Sequence, residues 1–467
     1  MVFSSSEFLF CFLPLVMLVY FLLKKRTHRN MFLMGASLVF YAWGEPWFVF
    51  VMLFSILVNW FAGLMIGKYA LNPKKKKLIV MLAVVFNLAL LGVFKYLMFV
   101  MNNVNWAFGL HMPVPQIILP IGISFFTFQA MSYVIDVYRG DGQVQKSFWN
   151  VCLYVSFFPQ LIAGPIVRYQ TIADEIENRQ ETLSDFEEGA RRFLVGLAKK
   201  VLLANNLALL ADSAFALKTG ELSVLSAWLG AIAYLWQVYF DFSGYSDMAI
   251  GMGRMFGFHF LENFNFPMIS RTVTEFWSRW HISLGTWFRD YLYFPLGGSR
   301  VCKSRAVFNM FVVWSLTGLW HGAAWTYLLW GVGFFVLLAL EKFTPLGKWM
   351  AKHPIGHVYA MVAITTVTVL IRSANMTDAM AFVGAMYGAA GHGLFDATAG
   401  MYLREYGFFV LAALIVALPV GPFVQRVLHI PESAMELLRG ILLALGFLAA
   451  LTYIVMGGYN PFIYFNF

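Results

Sequence analysis

Charge is what this chain lacks most. Of 467 residues only 12% are Asp, Glu, Lys or Arg, against about 25% in a soluble domain. Too little charge is present to cover the surface of a water-soluble protein of this length. Cysteine is also scarce: Cys11, Cys152 and Cys302 stand singly. They show neither metal-ligand spacing nor a pairing pattern, so no disulfide framework, thiolate site or bound metal is expected. No repeat of fixed period and no low-complexity tract is present, which excludes solenoids and disordered arrays. The net charge of +9 invites a nucleic-acid reading. No basic stripe with interleaved aromatics supports it, and no nucleic-acid partner is expected.

In place of charge the chain has hydrocarbon: 60% of its residues are hydrophobic and 18% aromatic. They are concentrated in Phe8–Leu23, Trp47–Ile66, Leu78–Val100, Gln116–Val137, Ala306–Leu340, Val358–Ile371, Gly407–Phe423 and Leu438–Met456. Several of these runs reach the roughly 20 residues that cross a bilayer. The chain reads as an all-α polytopic membrane protein of about a dozen spanning or partly inserted helices. The basic residues sit in short loops, such as Asn72–Lys77 and Ser299–Arg305, as cytoplasmic topology markers and contacts for anionic lipid headgroups.

The first apolar run precedes its basic cluster Lys24, Lys25, Arg26 and Arg29. That is the reverse of a signal peptide, so a retained helix with its N-terminus outside is expected. Helices over Met31–Trp43 and Trp47–Ile66 follow, then Leu78–Val100. Gln116–Val137 returns inward. Ser147–Val167 contains Pro159, Gly164 and Pro165, which interrupt helical hydrogen bonding. Broken backbone at membrane depth must be satisfied by protein or a water-filled cavity. The polar stretch 171–192 reads as cytoplasmic surface helix, with Ser184 as N-cap and Glu187 completing a capping box. The chain reads as one domain over 1–467.

Polar residues inside apolar sequence carry the functional signal. In "YFDFSGYSDMAIGMG", Asp241, Ser243, Tyr245 and Asp247 alternate with apolar residues. A carboxylate at the bilayer centre costs about 2.5–3.5 kcal/mol on insertion scales, so these groups form either a structural network or the polar wall of a substrate tunnel. In 272–300, Trp277, Trp280, Leu284, Trp287, Phe288 and Tyr291 recur at helical spacing around Arg279, His281, Arg289 and Asp290. An amphipathic interfacial helix explains the aromatics but not His281. Arg279, Arg289, Arg300, Lys303 and Arg305 suit either a positive-inside loop or a phosphate-bearing ligand. "LWHGAAWTYLLWG" places His321 next to Trp320, between Gly318 and Gly322. The glycines permit close approach of backbone or substrate, and imidazole moves protons near neutral pH. A satisfied core histidine and a proton relay both remain open on these residues alone.

These stretches, with "SLVFYAWGEPWF", "LPIGISFFTFQAMSYVIDVYRG" and the C-terminal "NPFIYFNF", resemble the membrane-bound O-acyltransferases, in the branch of the alginate O-acetyltransferases and their polysaccharide-modifying relatives. The resemblance implies helices around a central funnel or tunnel, with His321 as essential histidine and His281 as the second. Asp241, Ser243, Tyr245, Asp247 and Trp320 are the candidate acceptor wall on their own polarity, and the resemblance puts the basic residues near Arg300 beside the donor. It implies acetyl-CoA as a cytoplasmic donor substrate with no bound cofactor. It also implies a bacterial inner-membrane location, a periplasmic acetyltransferase partner of hydrolase-like fold, and polysaccharide synthesis and export machinery as further partners. A transporter or flippase is the alternative, and an architectural scaffold a third reading.

Overall fold

The computed structural model describes residues 1–162, 164–217 and 219–462; the last five residues of "NPFIYFNF" lie outside them. No strand occurs among the described residues, and a single antiparallel bridge joins Phe264 to Trp280. Among the described residues seven helices are long and apolar enough to cross a membrane: Phe48–Lys68, Pro73–Phe108, Leu183–Ala216, Trp325–Phe343, Ile355–Arg372, Ala397–Ala417 and Glu432–Val455. The run beginning at Phe8 is a shorter apolar helix ending at Leu22. The chain divides into two compact units, residues 1–193 with 245–261, and residues 194–244 with 262–467.

In the first unit, Ile123–Arg139 is buried along nearly its whole length and packs on Phe48–Lys68 and Pro73–Leu91. A Cβ on Gly63 would lie 2.4 Å from the Tyr133 hydroxyl, so only glycine lets that ring in. Asn59 and Asn87 exchange amide hydrogen bonds of 3.1 and 2.7 Å between the latter two helices. Such polar pairing joins helices that have little hydrophobic reason to associate in lipid. The helix expected from Gln116 begins instead at Ile123. Pro113, Pro115 and Pro120 hold the preceding chain out of helix. The expected break after Ser147 is present: Phe148–Ser156 ends at Phe157, which is non-helical, before the single turn Phe158–Leu161. Val151–Ser156 and the turn Phe158–Leu161 are buried. The polar stretch forms Tyr169–Asn178 and Leu183–Ala198. The cap of the latter is Thr182, whose hydroxyl accepts from Asp185 N at 3.0 Å, and not Ser184. Both Ser-x-x-Glu and Thr-x-x-Asp fit the pattern, and the helix simply starts two residues earlier.

The second unit is built on a helical hairpin. The apolar run Ala306–Leu340 forms two helices, Lys303–His321 and Trp325–Phe343, reversing at Gly322–Ala324. Its arms touch through backbone. A Cβ on Gly318 would lie 2.3 Å from the Tyr327 carbonyl, and one on Gly331 equally close to that of Trp314. Gly322 gives way to the Tyr327 ring. Ile355–Arg372 packs along the second arm. The 32-residue helix Val224–Met255, about 48 Å long at 1.5 Å per residue, contributes 224–244 here and its remainder to the first unit. A Cβ on Gly244 would lie 2.7 Å from the Gly196 carbonyl, and one on Gly251 2.5 Å from that of Gly189.

Candidate active site

The amphipathic helix expected across 272–300 is broken where its histidine sits. Val273–Arg279 and Ile282–Phe288 are separate seven-residue helices. Trp280 is extended between them, and His281 adopts φ 45° and ψ 51°. A left-handed conformation in a non-glycine residue costs on the order of 1–3 kcal/mol and persists only where its surroundings impose it. Here the imposition is explicit. Asn265 N donates to Arg279 O at 2.9 Å and Ile282 N to Asn263 O at 3.0 Å. The Asn263 side-chain oxygen accepts from Ser283 N at 3.2 Å and Ser283 Oγ at 2.9 Å. At the start of Val273–Arg279, Thr272 Oγ1 accepts from Glu275 N at 3.0 Å. The buried Glu341 carboxylate accepts from Val273 N at 2.6 Å, Thr274 N at 2.8 Å and Thr274 Oγ1 at 2.5 Å. The amides of Val273, Thr274 and Glu275 are thus all satisfied, and Phe276 N on Thr272 O makes the first regular helical bond.

His281 is 1% exposed, and neither ring nitrogen has a hydrogen-bond partner among the described residues. Burial without a partner disfavours the imidazolium, so the resting ring is neutral, one nitrogen a donor and the other an acceptor. Its ring meets Phe242 edge-on at 4.5 Å, Trp320 at 6.0 Å and His321 at 6.2 Å. His321 ends the first arm of the hairpin. It is buried between Trp320 at 5.0 Å and Trp330 at 5.1 Å, both nearly perpendicular to it. The two imidazoles thus come from a strained helix junction and a helix terminus, not from helix interiors.

Two cavities flank the pair. His281 lines one of about 960 Å³, shared with Trp277, Ser278, Trp314, Glu341 and the cations Arg289, Lys342 and Lys348. This is at the upper end of small-molecule sites. His321 lines one of about 40 Å³, walled by Phe276, Trp277, Trp330 and Phe334. Trp277 belongs to both walls.

The other sequence candidates distribute as follows. Asp241 is buried and ion-paired to Lys200 at 2.7 Å. Asp247 pairs with Arg192 at 2.9 Å, and Tyr245 stacks on Phe3 at 4.3 Å. Ser243 is buried too. None of these four lines either cavity; Phe242 is what their helix presents to His281. Residues two apart on a helix lie about 200° apart, so the alternation cannot build one wall. Of the expected donor cations only Arg289 lines the large cavity, beside its partner Asp290 at 2.7 Å. Arg279 is taken up by Glu275 at 3.0 Å and the Asn265 carbonyl. Arg300, Lys303 and Arg305 are exposed and not among the lining residues. Lys342, Lys348 and Glu341 also line the large cavity, and no motif in the sequence marks them. They follow a long apolar run and read in sequence as its cytoplasmic end.

Comparison with known proteins bears on this constellation. The MBOAT, membrane-bound O-acyltransferase family profile matches residues 36–377. The chain belongs to that family. It is a multi-pass membrane acyltransferase. It is 39% identical to the probable alginate O-acetylase AlgI of Pseudomonas putida, with all of both chains covered. It is 43% identical to the probable alginate O-acetylase AlgI of Pseudomonas aeruginosa, covering 89% of this chain and 81% of that one. It is 36% identical to the peptidoglycan O-acetyltransferase of Helicobacter pylori, covering 73% and 70%. O-acyl transfer onto polysaccharide is the chemistry these relatives share.

Proposed function

We propose that the protein is an inner-membrane O-acetyltransferase that takes acetyl groups from cytoplasmic acetyl-CoA. It delivers them for esterification of an extracytoplasmic polysaccharide of alginate type. The observation that carries this reading is the pair of buried imidazoles 6.2 Å apart, one opening onto a large cation-bearing cavity and the other onto a small apolar one. The large cavity suits a thioester carried on a phosphorylated nucleotide: Arg289, Lys342 and Lys348 offer charge for phosphates, and Trp277 and Trp314 offer surface to the carrier arm. The names of the relatives support the polysaccharide as final acceptor.

A hydroxyl is a weak nucleophile until a base takes its proton. His321 is the base, contributing about 10²–10⁴-fold. Neutral His281 turns its N–H to the thioester carbonyl and stabilises the oxyanion as it forms. The acceptor oxygen bonds to the carbonyl carbon, the C–S bond breaks, and the proton taken by His321 passes to the departing sulfur. A separate periplasmic acetyltransferase of hydrolase-like fold completes the transfer to the polymer. His321→Ala and His281→Ala, expressed in cells lacking the native copy, each reduce polymer O-acetylation at least about a hundredfold at unchanged membrane level. Wild-type ester content in either variant refutes that residue's role.

A further inference from the structure

We propose that Lys303 and Lys342 form a phosphate site at the base of the helical hairpin, with Tyr293 as its positioning residue. In assigning that phosphate to a nucleotide thioester, the proposal rests on the acyl-transfer reading above. The arms Lys303–His321 and Trp325–Phe343 have 19 residues each, so the start of one meets the end of the other. There the ammoniums of Lys303 and Lys342 lie 5.5 and 5.6 Å from the centroid of the same ring, Phe343. Two like charges gathered at one ring repel each other, and among the described residues no carboxylate pairs with either lysine. Glu341, next to Lys342 in sequence, directs its oxygens to the Val273 and Thr274 donors instead. A phosphate relieves the repulsion, whether a soluble donor or a lipid headgroup carries it.

Tyr293 fixes the ammonium of Lys342. Its hydroxyl accepts from Lys342 Nζ at 3.3 Å, and its ring centroid is 5.8 Å from the same nitrogen. A lysine head on its four-carbon stem is otherwise mobile, and a side chain already ordered loses less entropy on binding. Tyr293 is itself held. Its carbonyl accepts from Gly298 N at 2.9 Å, in a turn where Gly297 and Gly298 take φ of 105° and 58°. The buried Asn309 amide donates to the Leu296 and Gly298 carbonyls at 3.2 and 3.1 Å, which ties that turn to the first arm. Tyr293 and Lys342 both line the large cavity, and Lys303 extends the cation set beyond its lining.

Protein in phosphatidylcholine nanodiscs is given acetyl-CoA or S-acetylpantetheine, which lacks the phosphates, with a mannuronate oligomer, and thiol release is followed. The readout is the ratio of kcat/KM for the two donors, which a general structural defect leaves unmoved. An exposed ion pair is worth a factor of about 1.5–5, so Lys303→Met and Lys342→Met each lower the ratio by that much. Tyr293→Phe lowers it about twofold and adds nothing in the Lys342→Met background, as a residue acting through that lysine requires. A headgroup as the bound phosphate gives instead an unchanged ratio, with added phosphatidylglycerol raising the Tm of wild type and not of Lys342→Met. A wild-type ratio in the folded lysine variants without that lipid effect overturns the site. A Tyr293→Phe loss that persists when Lys342 is Met overturns the role of Tyr293. No turnover of either donor by wild type overturns the acetyl-CoA reading, and the lipid measurement then decides the site by itself.

Discussion

Glu341 stands at the opposite end of Val273–Arg279 from His281, and it should control catalysis without touching the reacting atoms. Its carboxylate is the acceptor for two of the three amides Val273–Glu275 and for the Thr274 hydroxyl. A hydrogen bond to a charged group contributes about 1.5–3 kcal/mol net, and a buried donor left without an acceptor costs about 1–3 kcal/mol. Glu341→Gln keeps one acceptor oxygen and turns an NH2 toward backbone N–H. At least one of the three bonds is lost and one donor is opposed, so the first turn loses about 2–4 kcal/mol. That is enough to fray a seven-residue helix that has few internal bonds of its own.

Trp277 and the His281 junction ride on that helix. A misplacement of about 1 Å at a reacting centre can cost on the order of a hundredfold in rate. The expected result for Glu341→Gln is therefore a fall in kcat of about 10–100-fold with the protein still inserted and folded. KM supplies the discriminating measurement. The substitution removes a negative charge from a cavity proposed to hold an anionic thioester, so KM for acetyl-CoA stays the same or falls. Wild-type kcat, or a loss carried mainly by raised KM, would refute the reasoning.

Two further outcomes follow from ion pairs outside the cavities. Removing one partner of a buried pair costs about 3–5 kcal/mol, whereas replacing both with apolar groups is often near neutral. Asp241→Asn and Lys200→Met each therefore lower the thermal stability of the detergent-solubilised protein, while the double variant Asp241→Leu/Lys200→Met recovers most of it and keeps its turnover per folded molecule; a folded but inactive double variant would return Asp241 to the acceptor wall. At Glu181, burial raises the carboxyl pKa, but hydrogen bonds from Arg26 and Tyr20 and the charges of Arg26 and Arg29 outweigh it and hold the group at about 2. A depressed folded-state pKa contributes stability that is complete above the unfolded value near 4.5 and declines as pH falls toward 2. Glu181→Gln should be less stable than wild type at pH 6 and should close that gap as the pH falls below 4.5 in thermal melts; parallel curves would show that the carboxylate contributes nothing.

Much of the membrane architecture is legible in the sequence because hydrocarbon run length is a one-dimensional property. Phe48–Lys68 and Glu432–Val455 follow closely from apolar runs. The breaks are less legible. Three prolines within eight residues, Pro113 to Pro120, signal the extended chain before Ile123, yet Gln116–Leu119 is apolar enough to be read as helix. At Gly322 a glycine beside two alanines suffices to reverse the chain, because Gly318 and Gly331 already let the arms touch. The partners of Asp241 and Glu341 are set by tertiary contact: Lys200 is 41 positions from its acid, and Val273 is 68 from Glu341. His321 and His281 are visible as imidazoles out of place. That His281 is the one facing the large cavity depends on a left-handed backbone that no local residue preference announces.

The placement of both histidines at helix interruptions has a physical reason. Inside a continuous helix the side chains around a ring follow a fixed 3.6-residue period, and the neighbouring helix stands some 8–10 Å away at its axis. A terminus or a junction frees the ring from that lattice. His321 can lie between two indoles of its own hairpin, and His281 can be turned away from the helix that brought it. The helix terminus is then available to only one cavity and the junction to the other, with Trp277 as shared wall. In the proposed reaction this separation leaves each ring a face of its own. On that argument the aromatic residues around the pair belong to the chemistry as much as to the core. A smaller residue at Trp277 would join the two volumes, and hydrolysis of the thioester would compete with transfer.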